Sequence, residues 1–456
     1  MRKHNMKKHS GSTRREFLSQ AGIGLLAGYS FKSDMGLAQS IKTPDTDRYQ
    51  SVTINTHEWY GDIEERLDFP KDWNVNVHHI AGYKSPVLSK EEIRNRIQNP
   101  INSKPLREIA AGKKTAVITF DDLSRATPSN EIAPVVVEEL KAGGIKDENI
   151  LFMAMVGSHR PLTQPEARAK LGDAIVDNYP WINHNPHDNL VDRGLTSHGN
   201  HVKLNFYFMQ ADIKVSMSGI KKHGAGYSGG AKAILPGVSW INTIEYMHEK
   251  IQWGGLGKIY HNDARADMEE AARKAGLDFS INTVMNEKRR PIGIHTGDVV
   301  EAFRSAAHDA SQKYRTEMVG NADVVVANCY PMNIQETGFG FANQSLREGG
   351  TAIVIWQLPL VKASIHYWDE RHYFTGKSFW ENQRERDPVR KAGQIILFSQ
   401  YVQRRDTLNF PEGRVKVIRK WEDVLALLEK SHGPGTSVAV YPWAGYQHGP
   451  VTLDSP

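Results

Sequence analysis

A single cysteine, Cys329, stands in 456 residues, so no intramolecular disulfide can form even in an oxidising compartment. It ends the run Ala-Asp-Val-Val-Val-Ala-Asn-Cys, a buried-strand pattern, and reads as a small core residue. Apolar runs long enough to cross a bilayer, about 20 residues, do not occur. Internal repeats and low-complexity tracts are missing as well. The histidines at 184, 187, 198 and 201 follow no standard zinc spacing and read as structural or supporting groups. A P-loop is excluded, because Lys232 follows Ala231 rather than glycine and Ala233 stands where a magnesium-binding Ser or Thr belongs.

An excess of one charge is missing too, once the N-terminus is set aside. Ser12-Thr-Arg14-Arg15-Glu-Phe17-Leu18 is a twin-arginine export signal, followed by the short apolar run 21–29 and a small-residue cleavage point at Leu37-Ala38. Residues 1–38 carry seven Lys and Arg against two Asp and Glu, and their net +5 equals that of the whole chain. The remainder is near neutral, which argues against nucleic acid or an anionic membrane surface as a partner. The expected partner is the twin-arginine export machinery, and the expected location is the periplasm.

The roughly 415 residues that remain exceed one core, so two domains are expected. Thr115–Phe120, Ile150–Val156 and Asp212–Met217 read as buried strands, each running into a polar motif. Ser129-Asn130 is placed as the cap of an amphipathic helix with Ile132, Val135, Val136 and Leu140 on one face and Gly143-Gly144 as its stop. Strands at 322–327, 351–355, 395–398 and 437–440, with a helix at 421–429, continue the alternation. The predicted class is α/β: two domains with mostly parallel sheets and the active site in the cleft between them. Residues 39–300 form the expected first domain and 301–456 the second, which closes the substrate cleft. Residues 39–60 read as an irregular arm.

The densest chemistry lies in His223-Gly-Ala-Gly-Tyr-Ser-Gly-Gly-Ala-Lys232, with His248 sixteen residues beyond the lysine. Glycines strip side chains from the backbone, so a flat or anionic group can approach closely. Lys232 is a compact cation whose amine becomes a nucleophile or a covalent anchor when desolvated. Asp122-Leu-Ser-Arg125 with Thr127-Pro128, and Gly157-Ser-His159-Arg-Pro161 with Thr163 and Glu166, follow the first two strands.

Together these motifs, with Pro100–Leu106 before them, resemble in kind and order the signature of the nickel-dependent lactate racemase family. The resemblance covers roughly residues 95–300 and implies a racemase or epimerase of a 2-hydroxy acid. It implies a nickel-pincer nucleotide, pyridinium-3-thioamide-5-thiocarboxylic acid mononucleotide, tethered to Lys232 with His248 as the nickel ligand. It makes His159 and His223 the paired acid–base groups, with Arg125 serving catalysis by holding a phosphate or carboxylate. Asp122, Ser228, Gly229 and Gly230 would line the cofactor, the latter three through backbone amides. His187-Asp188 also has a counterpart in the family, where it is not a nickel ligand. Cytoplasmic cofactor-synthesis proteins become expected partners, and folded export through the twin-arginine route suits a cofactor attached before export.

Two departures bear on the substrate. Lys222 replaces the family's proline before His223, in a loop one residue shorter. In the second half, Gly338 and Phe341 stand where a Gln and a Lys hold the carboxylate of lactate, so a larger 2-hydroxy acid, such as a sugar acid, is expected. Two other readings remain open: the same cofactor acting on another hydroxyl-bearing carbon, and a non-catalytic periplasmic protein that binds a ligand or nickel.

Overall fold

Alternating burial explains the first sheet. In the strand Ala116–Phe120 all five residues are buried, with Ile118 and Phe120 in the core on one face and Val117 in the core on the other. A strand covered on both faces needs an unbroken apolar run, and that is what a parallel sheet sandwiched by helices presents. The computed structural model describes residues 47–331, 336–359, 387–402, 404–407 and 410–456; the twin-arginine segment lies outside them.

The sheet order is Pro291–Gly297, Phe279–Met285, Ile213–Gly219, Ala116–Phe120, Ile150–Ala154, Trp181–Asn183. All neighbours are parallel except the first pair. A second sheet, wholly parallel, runs Val415–Ile418, Gln394–Phe398, Leu346–Ile355, Ala322–Asn328, Ser437–Tyr441, Asn74–Val77. The α/β class with largely parallel sheets is as expected. Cys329 is buried beside the second sheet's core.

Two elements lie across the expected division at residue 300. The strand Asn74–Val77 joins the second sheet beside Ser437–Tyr441, and the helix Glu301–Lys313 packs on two strands of the first. The arm expected at 39–60 is also corrected: Tyr49–Thr56 is a strand, paired antiparallel with Ile63–Pro70 over eight residues. Its alternating sequence fits a half-buried ribbon that a search for wholly apolar runs passes over. The predicted cap at Ser129 moves as well. The helix is Ser129–Ala142 with Pro128 in the cap position, and the Ser129 hydroxyl caps nothing. Its stop is at Gly143, whose amide bonds the Glu139 and Leu140 carbonyls.

Three neighbouring parallel strands end side by side. Phe120 leads into Asp121-Asp122, Ala154 into Gly157–His159, and Gly219 into Lys221–His223. The carboxyl ends of adjacent parallel strands are where an open α/β sheet gathers a site.

Candidate active site

A cavity of about 200 Å³ opens at those strand ends. Arg125, His159, His223, Lys232 and His248 all line it, as do Asp122, Ser228 and Gly229. Gly230 alone of the predicted site residues does not. Every lining residue comes from 121–248, so the described walls belong to the first half rather than to a cleft between halves. The second half meets the site loops through Tyr446, whose hydroxyl accepts from the Ala126 amide at 3.0 Å.

The first loop is held by two carboxylates with separate tasks. Asp121 accepts from the Thr127 hydroxyl at 2.7 Å and the Gly219 amide at 2.9 Å, and pairs with buried Lys170 at 2.7 Å. It locks the loop to the neighbouring strand. Asp122 faces the cavity, accepts from the Ser124 amide and hydroxyl, and meets Nδ1 of His159 at 2.5 Å. Burial alone would raise the Asp122 carboxyl, but the imidazole, Arg125 and Ser124 outweigh it and hold it well below the usual carboxylate range. An ionised partner on Nδ1 orients the ring and directs the basic Nε2 outward.

His223 is wired the opposite way. It lies on a short strand paired with Ala225–Tyr227, and the Ala225 amide donates to its Nδ1 at 3.1 Å. Nδ1 is therefore the acceptor, and the ring hydrogen sits on Nε2. Burial, reinforced by Lys232, Lys221 and Arg125, pushes this imidazole well below its ordinary value and keeps it neutral. One histidine thus presents a base and the other an N–H donor.

The glycine-rich turn behind His223 rests on a residue the motif does not contain. Arg265, fully buried, donates to the Ala225 carbonyl at 3.1 and 3.0 Å, to Gly229 at 3.1 Å and to Tyr227, while its plane stacks on Phe303 at 3.8 Å. Gly229 and Gly230 follow with φ of +94° and +57°. A Cβ on Gly229 would meet Ile220 at 2.4 Å, and one on Gly230 would meet Phe303 at 2.7 Å. Two of the three amides predicted to face a cofactor are spent elsewhere: Ser228 N–H on the Lys221 carbonyl, and Gly230 N–H on Asn282 at 2.7 Å. Those two amides hold the turn, and its side-chain-free surface at Gly229 shapes the cavity.

That turn aims Lys232 at the cavity. Its amine makes no hydrogen bond or ion pair among the described residues. Burial, with Arg125 and Arg265 nearby, drives it well below the ordinary lysine range, toward the neutral form that acts as a nucleophile. His248 enters from the helix Ile241–Lys250, where Nδ1 donates to the Ile244 carbonyl one turn back at 2.8 Å. That bond leaves the lone pair on Nε2, and burial lowers the ring to about 4. An imidazole neutral at ordinary pH with its second nitrogen anchored has the form of a metal ligand.

Sequence reasoning missed three residues here. Trp253 packs at a tilt against both His223 and His248, ring centres 5.2 Å apart in each case. Arg265 builds the turn, and Lys221 is a buried cavity lysine. A tryptophan three residues after a helix end and an arginine within a helix carry no local signal. Only the doubled Lys221-Lys222 before His223 could have drawn notice. The histidine-rich segment is structural where it is buried: His184 bonds the Ser239 carbonyl at 2.8 Å and Asn205 at 3.2 Å. His201 pairs with Asp192 at 2.7 Å.

The family model for the lactate racemase N-terminal domain matches residues 60–254, a span that holds all the cavity residues. A curated lactate racemase of Lactiplantibacillus plantarum is 32% identical over 292 residues, 61% of this chain and 68% of its own. Another, from Thermoanaerobacterium thermosaccharolyticum, is 28% identical over 310 residues, 65% of this chain and 72% of its own. The solved lactate racemase apoprotein of T. thermosaccharolyticum superposes with a TM-score of 0.64 at 21% identity, over 87% of this chain and 99% of that one. A crystal structure of a Thermotoga maritima protein gives 0.56 at 16% identity, over 80% and 99%. At those identities the superpositions speak to the fold.

Proposed function

The chain belongs to the lactate racemase family, and on that premise we propose that it is a racemase or epimerase of a 2-hydroxy acid that works with a nickel-pincer nucleotide carried on Lys232. The observation that supports this most is the convergence of Lys232, His248, His159 and His223 on one cavity. The residues fit the group. A partnerless, depressed amine suits a covalent tether, and a neutral imidazole suits nickel alongside sulfur donors. Among the described residues no cluster of three or more His, Cys, Asp or Glu is placed to hold a metal, so the chain's contribution there is His248, with the other donors supplied by the nucleotide itself.

When bound, the nucleotide supplies a place for the substrate carbon's hydride to go and return from. The chain does the rest. His159, supported by Asp122, takes the hydroxyl proton at Nε2 in one direction. His223, whose ring hydrogen is on Nε2, gives a proton from there to the oxygen on the other side, because the two enantiomers offer that hydroxyl to different sides. Arg125 holds an anionic group by a charge-assisted bond.

Lactate is disfavoured as the substrate. Gly338 packs against Val354 and Cys329, and Phe341 is buried against Tyr441 at 4.9 Å. Neither offers a charge, and losing a charged partner for a carboxylate costs about 1.5–3 kcal/mol. A larger 2-hydroxy acid, such as a sugar acid, is the better fit. The twin-arginine segment supports loading in the cytoplasm and export to the periplasm.

Intact-mass analysis of protein from a cofactor-producing host tests the proposal. A mass increment lost in Lys232→Ala, with single enantiomers racemised in heavy water, is the expected result. An unmodified lysine in an otherwise active protein would overturn the tether. A tethered protein that only interconverts hydroxy and keto acids would overturn the racemase.

A further inference from the structure

His223 sits in a stretch that cannot hold its own shape. Its strand is two residues long, and the glycines at 224 and 226 put little steric limit on the backbone, Gly226 with φ of +80°. Arg265 grips the carbonyls of Ala225, Tyr227 and Gly229. The Gly224 and Gly226 carbonyls are held by a different loop. Gly255 N–H and Asn262 Nδ2 donate to the first at 2.7 and 3.0 Å, and Gly257 N–H donates to the second at 3.2 Å.

That loop is itself fastened from the second half. Asp454 accepts from the Ile259, Tyr260 and His261 amides at 2.7, 3.1 and 2.8 Å, and its own N–H donates to the Gly257 carbonyl at 3.1 Å. Burial would raise this carboxyl, but the three amides outweigh it and hold it below the usual range.

Two more fastenings from the same segment straddle His223. Lys222, the residue before it, donates to the Ala444 and Gln447 carbonyls at 2.8 and 2.9 Å. Tyr227, four residues after it, meets Nε2 of His448 at 3.0 Å. His448 Nδ1 donates to the Gly449 carbonyl at 2.7 Å, so Nε2 carries the lone pair and accepts the tyrosine hydrogen.

We infer that residues 444–454 are a brace that sets the place of the His223 ring, with Asp454 and His448 as positioning residues for it. Neither lines the cavity; one acts through the loop 255–261 and the other through Tyr227. A misplacement of about 1 Å is enough to cost a catalytic group about 100-fold. The inference rests on the hydroxy-acid reading only for the task of His223.

Labelling of the full-length protein with diethylpyrocarbonate, followed by peptide mass, tests this without a substrate. The reagent needs an imidazole lone pair, and that of His223 is occupied by the Ala225 amide while the turn is intact. His159, in the same cavity but held by Asp122, is the internal reference. Asp454→Ala and His448→Phe should each speed labelling of His223 several-fold and leave His159 at the parent's rate. Amide exchange over residues 223–227 should quicken with it. Asp454→Asn, whose remaining oxygen still accepts from Ile259 and Tyr260, should fall between. Ser455→Ala, at an exposed neighbour, should change nothing. In loaded enzyme kcat should drop about 10- to 100-fold with KM held. Should Asp454→Ala fail to fold, His448→Phe and Asp454→Asn carry the test. Folded variants that label His223 at the parent's rate would overturn the brace. So would variants in which His159 and His223 speed up together, the mark of general loosening. A protein without hydroxy-acid turnover whose His223 labelling still responds would defeat the racemase reading and leave the brace standing.

Discussion

Asp122 and His159 lie 37 residues apart in sequence and meet at 2.5 Å, which makes the two strand-end motifs one functional unit. Asp122→Asn keeps the shape but removes the charge that supports the base. Activity should fall about 100-fold or more, the range of general-base assistance, with little change in nickel content. The pH dependence has a definite sign. A carboxylate depressed in the folded state contributes stability above its unfolded value, near 4, and loses it as pH falls through the folded value. The stability gap between parent and variant should therefore close in acid, as followed by chemical denaturation from pH 6 to pH 2.

Removal of His248 should separate the tether from the metal. In His248→Ala the Lys232 adduct should persist by mass while nickel, read by elemental analysis, dissociates at least about tenfold more readily, the scale seen even for outer ligand partners. Unchanged nickel retention would remove His248 from the metal site.

Arg265 is irreplaceable by lysine on this geometry. Its fork reaches three carbonyls of one turn, whereas an ammonium is a single point of charge. Arg265→Lys should lower stability by about 2–4 kcal/mol through unsatisfied buried carbonyls, measured by urea unfolding. A loss below about 0.5 kcal/mol, the level of an ordinary surface change, would mean the turn holds without it.

Trp253 couples the two histidines that sequence assigns to different tasks. Trp253→Ala should cost about 1–3 kcal/mol from two lost aromatic contacts and reduce both turnover and nickel retention. Trp253→Phe should recover most of each. A variant that loses turnover alone would show that the indole serves His223 and not His248.

Lys222 predicts a slope in alkali. Burial pushes its ammonium down to about 7, below an unfolded value near 10.4. Between those values the unfolded chain binds more protons, so stability should rise with pH relative to Lys222→Met, by at most about 1.4 kcal/mol per unit. A flat difference from pH 7 to 9.5 would show that the two carbonyls keep the group charged.

Local grammar announced the site well and its support poorly. Apolar runs ending in Asp121-Asp122, Gly157–His159 and Lys221–His223 are legible because a fully buried parallel strand has to be continuously apolar. The three lie side by side only through strand pairing, which no short window records. The same limit hid Trp253 and Arg265, whose roles arise from what folds against them. The glycine loop misled in one respect: composition reveals a bare backbone but not where its amides point, and those of Ser228 and Gly230 turned inward. The Tyr49–Thr56 strand was overlooked because its half-polar alternation lacks the signal that buried strands give.

The placement of Asn74–Val77 at the margin of the second sheet makes the chain visit that layer, leave to build all of the first, and then come back. A break between residues 297 and 322 would therefore not yield two self-sufficient halves. The leading fragment would carry off a strand that belongs to the trailing one, stripping Ser437–Tyr441 of its outer neighbour and leaving an open edge. The two layers are stitched by their own threading, so a split or domain-exchanged version would have to move residues 74–77 along with the tail.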